Sequence, residues 1–451
     1  MTDQPTTVTV VGLGKLGAPM VACLASRGFH VIGVDVDEGK VSAVADGRAP
    51  VFEPGLDELL ASHRDRITAT TDLHDAVLRS EMTFIVVATP TDDQGGFSLK
   101  WVLPVCEEIG GALAEKEGFH TVVLTSTVMP GSTGGQVQPA LEQASGKRCG
   151  EDFGLCYSPE FIALGSVIHD FLHPDFLLVG ESDDRAGAAL EDVYGRTIEN
   201  GAPVARMNFV NAELSKLSVN TFVTTKIAYA NMLARICERL PDADVDVVTD
   251  AIGLDTRIGR KYLRGSISYG GPCFPRDNVA LATLARAIGA PAFVAEATDS
   301  ANRDGIMRLA DLVEEYLPEG GTVAVLGLSY KPNTDVVEES PGLLLVSELA
   351  SRGVDVVGHD PAANGNAARA LDGAGRLSDS LEGAVSSADT VVIATAWDEF
   401  RGLEPSQLER DGRPRVVIDC WRILPREQFE RAVDYVVLGE GALSREAVAQ
   451  D

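Results

Sequence analysis

Positive charge is scarce in this chain. Lys and Arg total 38 against 67 Asp and Glu, a formal charge of −29. Such a field repels polyanions, which excludes nonspecific binding to nucleic acid or anionic lipid. An anionic small molecule would need a local cluster of Arg and Lys. Long apolar runs are missing too: none reaches the roughly 18–20 residues needed to span a bilayer. The opening Met1 to Thr7 is polar, and the apolar stretch after it is broken by glycines and Lys15, so no signal peptide is expected. Paired cysteines are absent. The seven are odd in number and scattered, with no C-x-x-C. That pattern speaks against a disulfide framework and a zinc site, and for reduced thiols in a cytoplasmic protein without a metal.

What is present is globular. The chain has 451 residues, enough for about three units at roughly 150 each. Thr7 to Val11 is a β-branched run entering a glycine turn, and helical periodicity follows to about Arg27. His30 to Val34 ends at Asp35, Phe84 to Ala88 ends at Thr89-Pro90, and Thr121 to Leu124 ends at Ser126-Thr127. Strands alternating with helices predict a parallel, doubly wound sheet. The pattern then repeats. Thr322 to Leu328 echoes Thr7 to Leu13, Ser351 to Asp360 echoes Ser26 to Asp35, and Ala388 to Thr395 echoes Glu81 to Thr89 in the same order. Between the two lies Asn211 to Leu240, a helical pattern free of Gly and Pro. A helix of about 30 residues spans roughly 45 Å and can join two domains or offer a face to a partner subunit. The expected fold is therefore α/β: two Rossmann-like doubly wound parallel-sheet domains joined by a long central helix. The expected boundaries are 1–205, 206–305 and 306–451.

Gly12-x-Gly14-x-x-Gly17, with Leu13, Lys15 and Leu16 between, follows a strand and opens a helix. The glycines permit a tight turn and a close approach of backbone N–H groups to a pyrophosphate. Asp35 stands about 20 residues on, where a carboxylate bonds a ribose 2′-hydroxyl and repels a 2′-phosphate. This favours NAD over NADP.

Tyr269-Gly270-Gly271-Pro272-Cys273-Phe274-Pro275-Arg276-Asp277 places a cysteine where a helix begins, since Pro275 suits a first turn. The helix dipole and Arg276 both favour a thiolate there. A thiolate can attack an aldehyde, and the adduct can lose hydride to become a thioester. Spacing alone equally allows a structural cysteine in a glycine turn. Glu160, in Ser158-Pro159-Glu160-Phe161, is either a general acid/base or a solvated carboxylate. Lys216 and Asn220 share one helix face at i, i+4 and can stabilise an oxyanion, or can simply be a polar face. Asp255 to Arg264 is a basic cluster in an acidic chain, suited to a diphosphate or to solvent.

Taken in order, these segments resemble the UDP-glucose/GDP-mannose dehydrogenases, the nucleotide-sugar 6-dehydrogenases. The resemblance covers nearly the whole chain. It is carried by the glycine fingerprint, Ala88-Thr89-Pro90-Thr91, Ser126-Thr127-Val128, Pro159-Glu160-Phe161, Lys216 with Asn220, Gly270 to Pro275, and Lys331-Pro332-Asn333-Thr334-Asp335. It implies oxidation of a hexose C6 hydroxyl to a carboxylate, with two NAD consumed and no aldehyde released. It makes Cys273 the nucleophile and Lys216 and Asn220 the oxyanion donors. Asp277 and Thr127 would place or activate water, and Glu160 would assist thioester hydrolysis. NAD would touch Gly12 to Gly17, Asp35, Lys40, Thr89, Pro90, Thr127 and Arg276. The nucleotide sugar would touch Glu160, Phe161, Lys216, Asn220, Arg264, Tyr269, Gly270, Tyr330, Lys331 and Arg422. The backbone from Arg264 to Gly270 would line the sugar and diphosphate pocket. Arg257 matches an arginine that reaches a neighbouring subunit's substrate, which implies a homodimer.

Four departures bear on this. Leu164 stands where the family has Glu, and Glu338 where it has Arg; in the family both lie near NAD. Arg276 replaces a Lys. Asp419-Cys420-Trp421-Arg422 puts Trp421 in an arginine's place, so dTDP-glucose is expected beside UDP-glucose as a substrate. GDP-mannose or N-acetylhexosamine substrates stay open, as do a silent nucleotide-sugar-binding homologue and a two-electron dehydrogenase of the hydroxy-acid type.

Overall fold

The computed structural model describes residues 6–409 and 414–441. The start of the polar N-terminal stretch, Met1 to Pro5, lies outside the described residues, as does 442–451 of the expected last domain. The chain falls into two compact units, Met1–Ser218 and Val219–Asp451.

The first unit is built on eight strands: β1 Thr7–Val11, β2 His30–Val34, β3 Ile67–Thr70, β4 Met82–Ile85, β5 Thr121–Leu124, β6 Gly154–Tyr157, β7 Leu177–Glu181 and β8 Val204–Met207. Their order across the sheet is β3-β2-β1-β4-β5-β6-β7-β8. All neighbours run parallel except β6 and β7, which are antiparallel. β1, β2, β4 and β5 are Val-, Ile-, Leu- and Thr-rich, and nearly every residue in them is buried. Continuous apolar runs of this kind need cover on both faces, and helices supply it. Strand order reverses between β1 and β4. Ligand crevices of open α/β sheets form there, outside the strands' carboxyl ends.

The second unit carries β9 Thr322–Leu326, β10 Asp355–His359, β11 Arg376–Leu377, β12 Thr390–Ile393, β13 Val416–Asp419 and β14 Asp434–Val437. Their order is β11-β10-β9-β12-β13-β14, all parallel. This sheet reproduces the β3-β2-β1-β4-β5-β6 portion of the first. Gly327 (φ +99°) ends β9 as Gly12 (φ +102°) ends β1. The two Rossmann-like sheets and the long helix Phe209–Cys237 agree with the fold expected from sequence. One offset is local: the run expected over Phe84 to Ala88 forms β4 over Met82–Ile85, and the Val86 amide still donates to the Val11 carbonyl at 2.8 Å.

Candidate functional site

In the first unit the glycine turn is shaped by close contacts. A Cβ on Gly17 would lie 1.7 Å from the carbonyl oxygen of Gly12, and one on Gly12 would lie 2.5 Å from that of Val86. At Gly14 a Cβ would meet nothing within 4 Å, so that glycine faces open space. Leu13 is fully buried and packs under Gly33, which anchors the turn to β2. Asp35 accepts the Leu13 amide at 2.7 Å and the Asp37 amide at 2.9 Å. Lys40 Nζ stands 3.4 Å from the same carboxylate. The helix Gly17–Ser26 begins directly behind the turn and presents its amides there. Thr89 Oγ donates to the Thr127 carbonyl at 2.7 Å, tying the turn after β4 to that after β5. A backbone pocket, a helix start and an acid at the end of the second strand fit a dinucleotide's pyrophosphate and ribose.

The same unit brings Glu160, Phe161 and Lys216 together. Lys216 Nζ donates to the Glu160 carbonyl at 2.7 Å and lies 4.5 Å from the centre of the Phe161 ring. The Glu160 carboxyl accepts from Tyr194 at 3.5 Å, and Tyr194 shares a 2.8 Å hydrogen bond with Ser158. Loss of water around Glu160 pushes its carboxyl up to about 7, against the downward pull of Lys216 and Tyr194. A carboxyl poised there can give or take a proton near neutral pH. Two buried glutamates hold the neighbouring loops. Glu213 accepts the Gly131 and Thr133 amides at 2.6 and 2.7 Å, and Glu53 accepts those of Gly165 and Val167, both at 2.8 Å.

In the second unit Cys273 is the N-cap of the helix Phe274–Ala287. It is exposed; the other cysteines are buried or half-buried. Asn220 Nδ2 donates to Asp277 Oδ2 at 2.6 Å, and both side chains are buried. Arg276 Nε lies 3.7 Å from the other Asp277 oxygen. The glycines ahead of Cys273 are sterically required. A Cβ on Gly270 would meet the Glu339 carbonyl at 2.1 Å, and one on Gly271 (φ +90°) would meet the Tyr330 ring at 2.7 Å. Lys331 Nζ lies 5.9 Å from the centre of that ring. The backbone amide of Gly271 donates to the carbonyl of Glu338 at 3.0 Å, while the Glu338 side chain is exposed. Arg264 donates to the Trp421 carbonyl. Arg257 is exposed and paired with Asp255 at 2.6 Å.

Arg422, expected to touch the nucleotide sugar, is held here by side chains and backbone of its own unit. Its guanidinium pairs with Asp244 at 2.8 Å and Asp246 at 3.1 Å, and donates to the Leu438 carbonyl at 2.7 Å. Trp421 turns its indole N–H to the Ala394 carbonyl at 2.8 Å. Sequence reasoning also passed over Tyr194, Glu53, Glu213 and Asn278. Asn278 alone had a signal, as a second polar residue beside Asp277 in a helix's first turn. Asp360 occupies the place in the second sheet that Asp35 has in the first. It is saturated by the Leu328 and Ser329 amides, the Ser329 hydroxyl and the Trp397 indole at 2.7–3.2 Å. No lone pair is left there for a ribose.

A turn that only glycine can make, beside an acid that repels a 2′-phosphate, belongs to an NAD-dependent oxidoreductase of the Rossmann type. Residues 6–198, 210–304 and 324–426 match, in turn, the NAD binding, central and UDP binding domains of the UDP-glucose/GDP-mannose dehydrogenase family. The chain is 38% identical over 426 residues to UDP-glucose 6-dehydrogenase AglM of Haloferax volcanii, covering 93% of this chain and 98% of that one. It is 32% identical over 410 residues to GDP-mannose 6-dehydrogenase of Azotobacter vinelandii, covering 88% and 93%. Among solved structures, a UDP-glucose dehydrogenase from Pyrobaculum islandicum superposes with a TM-score of 0.87 at 33% identity, covering 97% and 98%. The chain belongs to the UDP-glucose/GDP-mannose dehydrogenase family. NAD is its cofactor, and a nucleotide sugar is its substrate.

Proposed function

We propose that this protein oxidises the C6 hydroxyl of UDP-glucose to the carboxylate, in two steps of two electrons, through a thioester on Cys273. The observation that carries this reading is the position of Cys273. It is an exposed thiol at a helix N-cap, one turn ahead of a buried Asp277 fixed by Asn220. The relatives named UDP-glucose 6-dehydrogenase, at 33–38% identity, support UDP-glucose. The Trp421 departure adds dTDP-glucose as the second substrate to try.

When bound, NAD would supply the hydride acceptor for each of the two oxidations, one cofactor molecule per step, while the C6 hydroxyl proton of the first passes to solvent. Glycines 12, 14 and 17, Asp35, Lys40, Thr89 and Thr127 would hold it. After the first oxidation the Cys273 sulfur adds to the C6 aldehyde carbon, and the carbonyl oxygen becomes an alkoxide. Lys216 and Asn220, one helical turn apart, stabilise that charge. Loss of the second hydride leaves the thioester. Water then adds to its carbonyl, the C–S bond breaks with its electron pair passing to sulfur, the acid leaves, and the Cys273 thiolate is regenerated. Glu160 takes the water's proton, while Asp277 and Thr127 orient it.

We place the protein in the cytoplasm, where such a thiol stays reduced, and assign it to a homodimer. Phe222, Tyr229, Met232 and Ile236 leave an apolar stripe exposed on the long helix, beside exposed Phe293 and Val294. The test is NADH yield on a panel of UDP-glucose, dTDP-glucose, GDP-mannose and a UDP-N-acetylhexosamine. The reading expects two NADH per UDP-glucose and none from Cys273→Ala. One NADH per sugar, or an unchanged Cys273→Ala rate, would overturn the thioester route.

A further inference from the structure

The segment leading to Cys273 is buried yet belongs to no strand. Residues 265–271 are all buried, and none lies in a sheet or helix. Buried backbone N–H and C=O groups need partners, and without a neighbouring strand they must find them elsewhere. Here two asparagine side chains supply them. From the long helix, Asn231 Oδ1 accepts the Ser266 amide at 2.9 Å and its Nδ2 donates to the Ile267 carbonyl at 2.8 Å. From the helix Phe293–Tyr316, Asn302 Oδ1 accepts the Tyr269 amide at 2.8 Å and its Nδ2 donates to the Tyr269 carbonyl at 2.9 Å. A carboxamide carries the same donor and acceptor as a peptide group, so each asparagine acts as a one-residue strand.

The clamp does not end at the backbone. The Asn302 carbonyl accepts from Ser268 Oγ at 2.6 Å, in space that the absent side chain of Gly305 leaves open; a Cβ there would stand 2.3 Å from that oxygen. Tyr269 extends the hold to the next helix, because its hydroxyl accepts from Asn278 Nδ2 at 3.0 Å. Asn278 lies on the helix that Cys273 caps, one residue after Asp277. Two long helices therefore fix one short peptide, and that peptide fixes the turn bearing the thiol.

We infer that Asn231 and Asn302 are positioning residues for the reaction, which hold the 266–269 peptide as a rigid frame for the Cys273 loop. They touch neither thiol nor carboxylate; Asn302 acts through Tyr269, and Asn231 through Ser266 and Ile267 of the same peptide. This inference rests on the dehydrogenase reading for its kinetic consequences. The frame itself does not depend on that reading. A displacement of about 1 Å at a reacting group can cost roughly a hundredfold in rate.

The experiment compares Asn302→Ala, Asn231→Ala and Asn302→Asp with the native protein. Far-UV circular dichroism selects variants that fold. In a folded alanine variant, kcat falls by roughly a hundredfold while the KM for NAD stays within about twofold. Asn302→Asp gives a finer readout. Ionised, the new side chain only accepts, and it leaves the Tyr269 carbonyl facing a negative charge; protonated, it donates again. Its rate relative to native is therefore low at pH 8 and climbs by about tenfold or more towards pH 5.5. Amide hydrogen exchange of the peptide from Gly271 to Asn278 needs no substrate, and it speeds up by about tenfold or more in each alanine variant. Unchanged exchange there overturns the inference, as does native-like kcat or a flat pH ratio. A native protein that oxidises no nucleotide sugar overturns the dehydrogenase reading instead, and the exchange data still decide the clamp.

Discussion

Asn220 Nδ2 donates to the buried carboxylate of Asp277 at 2.6 Å, linking the long helix to the first turn of the helix that begins at Cys273. A buried carboxyl group holding a donor is costly to disturb, because removing the donor leaves a buried acceptor oxygen without its partner. Asn220→Ala is expected to cost about 2 kcal/mol of folding stability. It should also slow turnover, since the same amide is assigned to the oxyanion. Asp277→Asn keeps the size and removes the charge, so it should melt nearer to native than Asn220→Ala does. Urea unfolding of the two variants, with NADH production followed in parallel, checks both expectations. Equal stability of Asn220→Ala and native protein would show that the bond is not a structural link.

The Glu160 carboxyl, raised to about 7, sets a pH dependence. Below that value it is protonated and cannot take a proton from water; above it the carboxylate can. Hydrolysis of the thioester should therefore quicken as pH rises through about 7, along a one-proton limb. Glu160→Gln should flatten this limb and leave acyl-enzyme to accumulate, seen as a burst of NADH without steady turnover. The stability effect has the opposite sign. The folded state holds the proton more tightly than the ordinary carboxyl of about 4.3, so this group's contribution falls as pH rises from about 4 to about 7. Glu160→Gln should then gain on native as pH rises across that window.

Gly17 leaves no space for a side chain, since a Cβ would stand 1.7 Å from the Gly12 carbonyl oxygen. Gly17→Ala must push the helix start away from the turn. NAD affinity is expected to drop by at least about tenfold, equivalent to about 1.4 kcal/mol. Gly14→Ala has open space around the new methyl group in the cofactor-free protein. It should fold normally and lose NAD through contact with the pyrophosphate alone. Calorimetric titration with NAD, paired with thermal melts, separates the two variants.

Arg257 is exposed and ion-paired with Asp255, two residues before it. If it serves a neighbouring subunit, mixing Arg257→Ala and Cys273→Ala chains should restore part of the activity that each lacks. Hybrid dimers would hold one site with both residues intact. No recovery, with subunit exchange shown by mass, counts against a shared site.

Much of this was legible in the chain itself. The Gly12 to Gly17 turn, Asp35 and the repeat at Thr322 depend on local sterics and on the two-residue period of buried strands. Such signals survive in a linear sequence. Cys273 could be read as a helix cap because proline and the dipole act within a few residues. The Asn302 clamp lies 33 residues from Tyr269 in sequence, and the Arg422–Asp244 pair spans 178. No local pattern announces partners that far apart. Sequence alone located the inner strands of each sheet, the glycine turns and the helix-capping position of Cys273. The tertiary structure decided that Arg422 serves carboxylates of its own chain and that two asparagines hold the cysteine's approach, because long-range hydrogen bonds exist only once the helices have packed.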